Sequence, residues 1–200
     1  MEDIEIPILS RSSAEDFEQF IKFWSNLYDY PNMEDYNLNI KYAQGEKYKE
    51  DNIWKLYRWR GRYSKSESKE LTVKDKIIDR IDEINKLKSQ KDIDLDQFFE
   101  QFDEISAVWA IFLLHILKPL KYPLYDQHIH RAFNYMHKMQ YKCISNHLSD
   151  SAKIRFYKKY YLPFIHAMMD KYPTLSVKQI DNGLFAFGRL LNLYQYDRMF

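Results

Sequence analysis

The sequence predicts an all-α protein that folds as a single compact domain over residues 1–200, and three observations support this prediction. Only 4 Gly and 6 Pro occur in the chain, fewer than folds rich in strands and turns use. Apolar residues recur at three- and four-residue spacings, which is the pattern of helices buried on one face. A length of 200 residues is enough for one domain with a substantial core. We therefore expect about eight or nine helices.

The first half of the chain contains three clear helical patterns. They cover residues 14–28, 47–59 and 73–88, whereas the stretch at 36–42 is less clear. Ser13 and Thr72 precede two of these patterns, and a serine or threonine hydroxyl at such a position accepts a backbone N–H of the first turn. Pro31 ends the first helix, and Gly61 with the serines of residues 64–68 predicts a loop.

The second half contains five further patterns. They cover residues 92–102, 106–117, 126–139, 149–171 and 176–193. The second of these is apolar all round, which predicts a buried helix at the centre of the fold, ended by Pro119. Pro163 predicts a bend in the helix over residues 149–171, because proline cannot donate the intrahelical hydrogen bond. Gly183 and Gly188 interrupt the last pattern and indicate close packing against another helix or a ligand, with packing the preferred explanation.

Three features exclude a membrane or exported protein. The longest apolar run, residues 108–117, is interrupted by His115 and has ten residues, about half of what a bilayer crossing requires. The first five residues include Glu2, Asp3 and Glu5, whereas an export signal begins with positive charge. Cys143 is the only cysteine, so no internal disulfide can form. These observations predict a cytoplasmic protein without a membrane segment.

The charge balance leaves room only for a local nucleic-acid site. Thirty basic and 29 acidic residues give a formal net charge of +1, without the basic excess of many nucleic-acid-binding domains. Three clusters of basic residues could form a local site: Arg58, Arg60, Arg62 and Lys65; Lys118 and Lys121; and Lys153, Arg155, Lys158 and Lys159. Each cluster could equally be the solvated face of a helix.

The most informative segment surrounds Asp126. Residues 118–131 read Lys-Pro-Leu-Lys-Tyr-Pro-Leu-Tyr-Asp-Gln-His-Ile-His-Arg. Two prolines hold this connection extended, and Asp126 stands where the next helix begins. A carboxylate at a helix N-terminus accepts backbone N–H groups, and the helix dipole keeps it ionised. We therefore predict that Asp126 is an anionic N-cap, and it is the only candidate catalytic carboxylate that the sequence identifies.

The residues around this aspartate resemble a known enzyme family. A buried helix, a short turn and then Asp126, His128, Ile129 and Arg131 reproduce the Asp-x-His-hydrophobic-x-Arg order of the helix-hairpin-helix superfamily of DNA glycosylases over residues 106–139. In that family the aspartate is the catalytic carboxylate beside the sugar of a flipped nucleotide. The resemblance implies that Asp126 catalyses hydrolysis of an N-glycosidic bond and leaves an abasic site.

Two departures from the family pattern refine this expectation. Members that also cut the DNA strand have a nucleophilic lysine about eighteen residues before the aspartate, where this chain has Val108. The resemblance therefore implies a monofunctional glycosylase without lyase activity. Residues 102–107 lack the glycines of the family's hairpin, which implies a degenerate hairpin.

The resemblance also implies a base pocket and a DNA-binding surface. The pocket candidates are Trp109, Tyr122, Tyr125, Gln127 and His128, and the DNA-backbone candidates are Arg58, Arg60, Arg62, Lys118, Lys121 and Arg131. Aromatic residues in such positions more often belong to the core than to a pocket, which is the alternative for Trp109, Tyr122 and Tyr125. Arg131 could pair with an acid instead of a phosphate. We expect no metal, because His128 and His130 face different directions on a helix, and no cofactor.

The expected partner is DNA, bound by a monomer. Compact members with degenerate hairpins resemble bacterial proteins that act against phages whose DNA carries modified bases, so a hypermodified cytosine is a conceivable substrate by analogy. The alternative interpretation is a non-catalytic DNA-binding or scaffold protein that keeps the helical fold and uses Asp126 only as an N-cap.

Overall fold

A computed structural model describes residues 17–28, 33–60, 67–137 and 148–196. These residues contain helices and no β-strand, which confirms the all-α prediction. The helices are α1 (Phe17–Asn26), α2 (Met33–Gln44), α3 (Glu50–Arg60), α4 (Glu67–Lys76), α5 (Ile81–Ser89), α6 (Leu95–Gln101), α7 (Ala107–Leu117), α8 (Gln127–Met136), α9 (Asp150–Phe156), α10 (Leu162–Lys171) and α11 (Val177–Tyr196). A 3-10 turn joins α4 to α5 and a π-helical turn joins α9 to α10, so the described residues form about nine helical units.

Helix α7 lies at the centre of the fold, as predicted. Every residue in it is buried except Val108 and Trp109, which are partly buried. Helices α2, α5 and α9 pack against it, and Tyr57 of α3 contacts its Trp109 and Phe112 rings. The helix has eleven residues, and no helix in the described part of the chain is long and apolar enough to cross a membrane.

Helix α11 packs closely against both α1 and α8. A Cβ atom added at Gly188 would lie 1.9 Å from the carbonyl oxygen of His128, so the backbones of α8 and α11 touch at this point. A Cβ atom at Gly183 would lie 3.1 Å from Ile21 in α1. Both glycines therefore serve helix packing, as predicted. Gly188 contacts His128, which is two residues after Asp126.

The predicted helix over residues 73–88 differs in its start and in its continuity. Helix α4 already begins at Glu67, where acidic residues in the first turn interact favourably with the helix dipole. Thr72 lies inside α4 and donates its hydroxyl to the carbonyl of Ser68, so it is not an N-cap and Ser68 is not in a loop. A 3-10 turn over Ile78–Arg80 interrupts the helix, while the buried Ile77 and Ile84 preserve the predicted apolar face.

The helix predicted over residues 149–171 contains a π-helical turn over Tyr157–Tyr161. Ser149 is the N-cap of α9, and its hydroxyl accepts the backbone N–H of Ala152. The π turn ends just before Pro163, whose ring would crowd a carbonyl of the preceding α-helical turn. A wider turn relieves that crowding. The sequence predicted that the helix is irregular near Pro163 but did not predict that the irregularity is a π-helical turn.

Candidate functional site

Asp126 is the N-cap of α8, as predicted. Its Oδ1 atom accepts the backbone N–H groups of His128 at 2.8 Å and Ile129 at 3.0 Å. Its Oδ2 atom lies 3.8 Å from a guanidinium nitrogen of Arg60, and 15% of the side chain remains exposed. One carboxylate oxygen is thus committed to the helix, whereas the other faces a cation at a partly open edge.

Arg60 comes from α3 and is the nearest positive charge to this carboxylate. It is the last residue of that helix, and 26% of its side chain is exposed. Its charge also acts on His115 of α7, although burial is the main reason why the pKa of His115 is lowered to about 4. The ion pair at this site therefore joins the end of α3 to the start of α8.

Asp181 of α11 is a second carboxyl group in this region, which the sequence analysis did not identify. It is buried, accepts the backbone N–H of Leu124 at 2.9 Å and accepts the hydroxyl of Tyr161 at 3.0 Å. Burial, with a smaller contribution from the charge of Asp126, raises the pKa of Asp181 to about 7. Asp181 therefore holds the turn that leads into Asp126, aided by the hydroxyl of Tyr157, which donates to the Pro123 carbonyl at 3.0 Å.

One sequence signal marks Asp181. It shares a helical face with Leu184 and Gly188 at three- and seven-residue spacings, and all three are buried. An acidic residue on an otherwise apolar face is rare unless it has a partner. The sequence does not reveal the partner, since Leu124 is 57 residues away.

The aromatic pocket candidates lie in the protein interior. Tyr122 is buried and Tyr125 is buried with its hydroxyl 2.6 Å from Nδ1 of His130. Trp109 is partly buried and stacks on Tyr57, with the ring centroids 4.8 Å apart and the planes 5° from parallel. Tyr122 and Tyr125 are therefore core residues, and Trp109 packs its ring against that of Tyr57.

The two remaining pocket candidates are nearer the surface. Gln127 is exposed, and His128 is half-buried with its ring centroid 5.0 Å from that of Phe185 in α11. Burial lowers the pKa of His128. Burial likewise lowers the pKa of His130 to about 4, so the positive charge around Asp126 at neutral pH comes from arginine and lysine.

The DNA-backbone candidates are not equally accessible. Arg131 is 2% exposed and donates to the Gly188 carbonyl at 3.0 Å, so it links α8 to α11 and cannot reach a phosphate at the surface. Lys118 donates to the Lys88 carbonyl, and Lys121 pairs with Asp92.

Arg58 has the most accessible guanidinium among the described candidates. It is exposed and lies 5.4 Å from the ring centroid of Trp54. Together with Arg60 it places positive charge at the end of α3. Arg62 lies outside the described residues.

A groove lies between the C-terminal part of α1 and the middle of α11, and we call it the α1/α11 groove. It encloses about 290 Å³ and is lined by Trp24, Leu27, Tyr28, Phe185, Ala186, Arg189 and Leu190. The sequence analysis singled out the α11 segment only for its glycines. Phe185 touches both the Tyr28 ring and the His128 ring, so the groove adjoins the first turn of α8.

Within the described part of the chain, no group of three or more His, Cys, Asp and Glu side chains is placed to hold a metal ion. The sequence matches no protein-family model, and the comparisons with curated proteins and with solved structures give no match either. The chemistry of the site must therefore be inferred from its geometry and from the residues around Asp126.

Proposed function

We propose that this protein is a monofunctional DNA glycosylase that hydrolyses the N-glycosidic bond of a flipped base, with Asp126 as the catalytic carboxylate. The observation that supports this proposal best is the position of Asp126. Its Oδ1 atom is fixed by two backbone N–H groups, while Oδ2 lies at a partly exposed edge beside Arg60. This arrangement agrees with the role that the resemblance of residues 106–139 implies.

The chemistry requires a carboxylate held in a fixed position. Breaking an N-glycosidic bond builds positive charge on the sugar, and a preorganised carboxylate stabilises that charge without having to reorient. The same group can orient or deprotonate the attacking water, which adds its hydroxyl to the sugar as the base departs. Asp181 cannot contact a substrate because it is buried, so its role is to position the Asp126 turn.

The absence of strand cleavage is part of the proposal. Val108, in the first turn of α7, stands where bifunctional members of the resembled family have lysine. A valine has no amine to form a Schiff base with the abasic sugar. The abasic site should therefore remain intact until alkali is added.

The proposed substrate is DNA that carries a modified base, such as a hypermodified cytosine of phage DNA, and the proposed location is the cytoplasm. The turn between α6 and α7 exposes Asp103 and Glu104, which repel phosphate. Arg58 and Arg60 at the end of α3 offer positive charge beside Asp126. We therefore place the DNA backbone along the end of α3 and not along the turn.

One observation favours the alternative, a non-catalytic DNA-binding protein. Oδ1 of Asp126 is used by the helix cap and Oδ2 faces Arg60, so both oxygens already have a structural role. Under that alternative the carboxylate would be replaceable by any equivalent cap.

The test is base release by Asp126→Asn. Asparagine caps helices about as well as aspartate, so the variant should fold normally but lose at least about 100-fold of the activity because the negative charge is gone. Wild type and variant are incubated with DNA bearing natural or modified bases, and abasic sites are revealed by alkali. Equal release by both proteins would rule out catalysis by Asp126, and strand breaks before alkali would contradict the monofunctional assignment.

Asp94 provides a matched control. It is the N-cap of α6 and accepts the backbone N–H groups of Asp96 and Gln97 through one oxygen, the same hydrogen-bond pattern as that of Asp126. Asp94→Asn should therefore change stability as little as Asp126→Asn does and leave base release unchanged. A loss in both variants would indicate an indirect effect of the caps.

A further inference from the structure

The α1/α11 groove has the size and lining of a site for a planar ligand. Its volume of about 290 Å³ lies near the lower end of small-molecule sites, which measure about 300–1,000 Å³. Trp24, Tyr28 and Phe185 line it, and Tyr28 and Phe185 meet edge to face at 5.3 Å. Aromatic faces of this kind stack with nucleobases of any sequence.

The charges at the groove favour an anionic ligand. The exposed Arg189 is one of the lining residues, and Nζ of Lys178 lies 5.0 Å from the centroid of the Tyr28 ring. The Lys178 ammonium, in the first turn of α11, also donates to Oδ1 of Asn182 at 2.8 Å. None of the described residues that line the groove is acidic. An aromatic wall beside the exposed Arg189 complements a base that carries a phosphate.

The groove is also connected to the candidate catalytic group. The Phe185 ring contacts the His128 ring, and the backbone N–H of His128 donates to Asp126. Tyr122 and Tyr125 of the Asp126 turn are buried, whereas the groove is open and adjoins this turn through Phe185.

We propose that the α1/α11 groove is the nucleotide-binding pocket, in which the base packs against Tyr28 and Phe185 and a phosphate pairs with Arg189. This pocket replaces the one predicted from the sequence, whose candidates were Trp109, Tyr122, Tyr125, Gln127 and His128. The proposal rests on the proposed function for the reaction of the bound nucleotide, but the binding itself can be measured separately.

The experiment is calorimetric titration of the full chain with deoxynucleoside 5′-monophosphates. Arg189→Glu should weaken binding by at least about 10-fold, because a charge-assisted contact is replaced by repulsion. Ala186→Trp should abolish binding by filling the groove. Lys74→Glu is the control for charge reversal, since Lys74 is an exposed lysine in the last turn of α4, and it should bind like the wild type. Because Arg189 is exposed, its variant tests the proposal even if Ala186→Trp does not fold.

The outcomes separate the pocket from the reaction. Absence of mononucleotide binding by the wild type, or equal binding by wild type and Arg189→Glu, overturns the pocket even if Asp126→Asn abolishes base release. The pocket is also overturned if the Arg189→Glu variant binds oligonucleotides poorly but mononucleotides normally. Arg189 would then contact the DNA backbone and not the phosphate of a nucleotide in the groove. A third outcome is that the wild type binds mononucleotides, Arg189→Glu weakens this binding, and the wild type releases no base. That outcome supports the pocket and contradicts the glycosylase assignment.

Discussion

The carboxyl group of Asp181 has both oxygens committed to the turn that carries Asp126. One oxygen accepts the Leu124 N–H and the other accepts the Tyr161 hydroxyl. Charging this buried group costs free energy, and burial raises the pKa of Asp181 to about 7. The folded protein therefore holds a proton on Asp181 that offsets the cost of burying the charge, and loss of that proton weakens the fold.

The effect of this proton on stability has a definite sign. The folded pKa of Asp181 is about 7 against 3.8 for the unfolded chain, so between these values the folded protein holds a proton that the unfolded chain releases. The contribution of Asp181 to the free energy of unfolding should fall as pH rises from 4 to 7, by up to about 1.4 kcal/mol per pH unit. Above pH 7 it should stay constant.

Asp181→Asn tests this directly, because asparagine has no proton to lose. The free energy of unfolding of the variant relative to the wild type should rise between pH 4 and pH 7, as measured by urea denaturation at each pH. Comparison of the two proteins cancels the opposite contributions of His115 and His130, whose lowered pKa values make the fold lose stability as pH falls below 6.5. A difference that is the same at pH 4 and pH 8 would contradict the prediction.

At this scale the sequence revealed local contacts and missed distant ones. Asp126 could be assigned as an N-cap because its partners are the backbone N–H groups two and three residues ahead. Asp181 could not be assigned because Leu124 lies 57 residues away. Arg131 appeared equally suited to a phosphate or an acid, but its partner is the Gly188 carbonyl, again 57 residues away.

At the scale of helices, the contact between α8 and α11 determines the geometry around Asp126. The two backbones touch where Gly188 lies against the His128 carbonyl, and Arg131 donates to the Gly188 carbonyl at the same point. Any side chain at position 188 must push the first turn of α8 away from α11. Because Asp126 caps that turn, such a change also moves the carboxylate.

Alanine at the two glycines of α11 should therefore have unequal effects. Alanine favours a helix by about 1 kcal/mol over glycine, but a Cβ atom at Gly188 would be 1.9 Å from backbone. We expect Gly188→Ala to lower the free energy of unfolding by about 2 kcal/mol or more. Gly183→Ala, where the Cβ atom would be 3.1 Å from Ile21, is the comparison and should cost less. Chemical denaturation measures both, and equal losses would contradict the assigned contact.

The sequence predicted most helices but not their interruptions. The apolar period identified α1, α7, α8 and α11 because each has a face or a whole surface in the core. It joined α4 and α5 into one helix because the 3-10 turn between them preserves that face. It predicted a bend at Pro163 where the structure has a π turn, since the chemistry of proline forbids an α-helical hydrogen bond without specifying what replaces it.

At the scale of the molecule, a net charge of +1 provides little overall attraction to DNA. Any affinity for DNA must therefore come from exposed basic side chains that are not paired with a carboxylate. Arg58 is exposed and stacks near Trp54, whereas Lys121 pairs with Asp92. A lysine already paired with a carboxylate releases few counterions when DNA approaches. The proposed DNA-binding surface should therefore be small and centred on the end of α3.

Salt dependence measures this surface. We expect Arg58→Ala to weaken DNA binding and to make the slope of log K against log salt shallower by about 0.9, the value of one phosphate contact. Lys121→Ala should leave the slope unchanged. Fluorescence anisotropy with a labelled duplex at several salt concentrations gives both slopes, and an equal change in the two variants would show that the surface is misplaced.

The packing of α11 has a consequence for how the protein folds. The hydroxyl of Thr174, just before this helix, donates to Glu18 in α1 across 156 residues of chain, and α11 also supplies Asp181. Contacts between such distant segments form late, because the entropy of closing the intervening chain is lost before the contacts stabilise it. During synthesis, α8 with its cap leaves the ribosome well before α11 exists. The turn at Asp126 can therefore acquire its buried anchor only after the last described helix has docked.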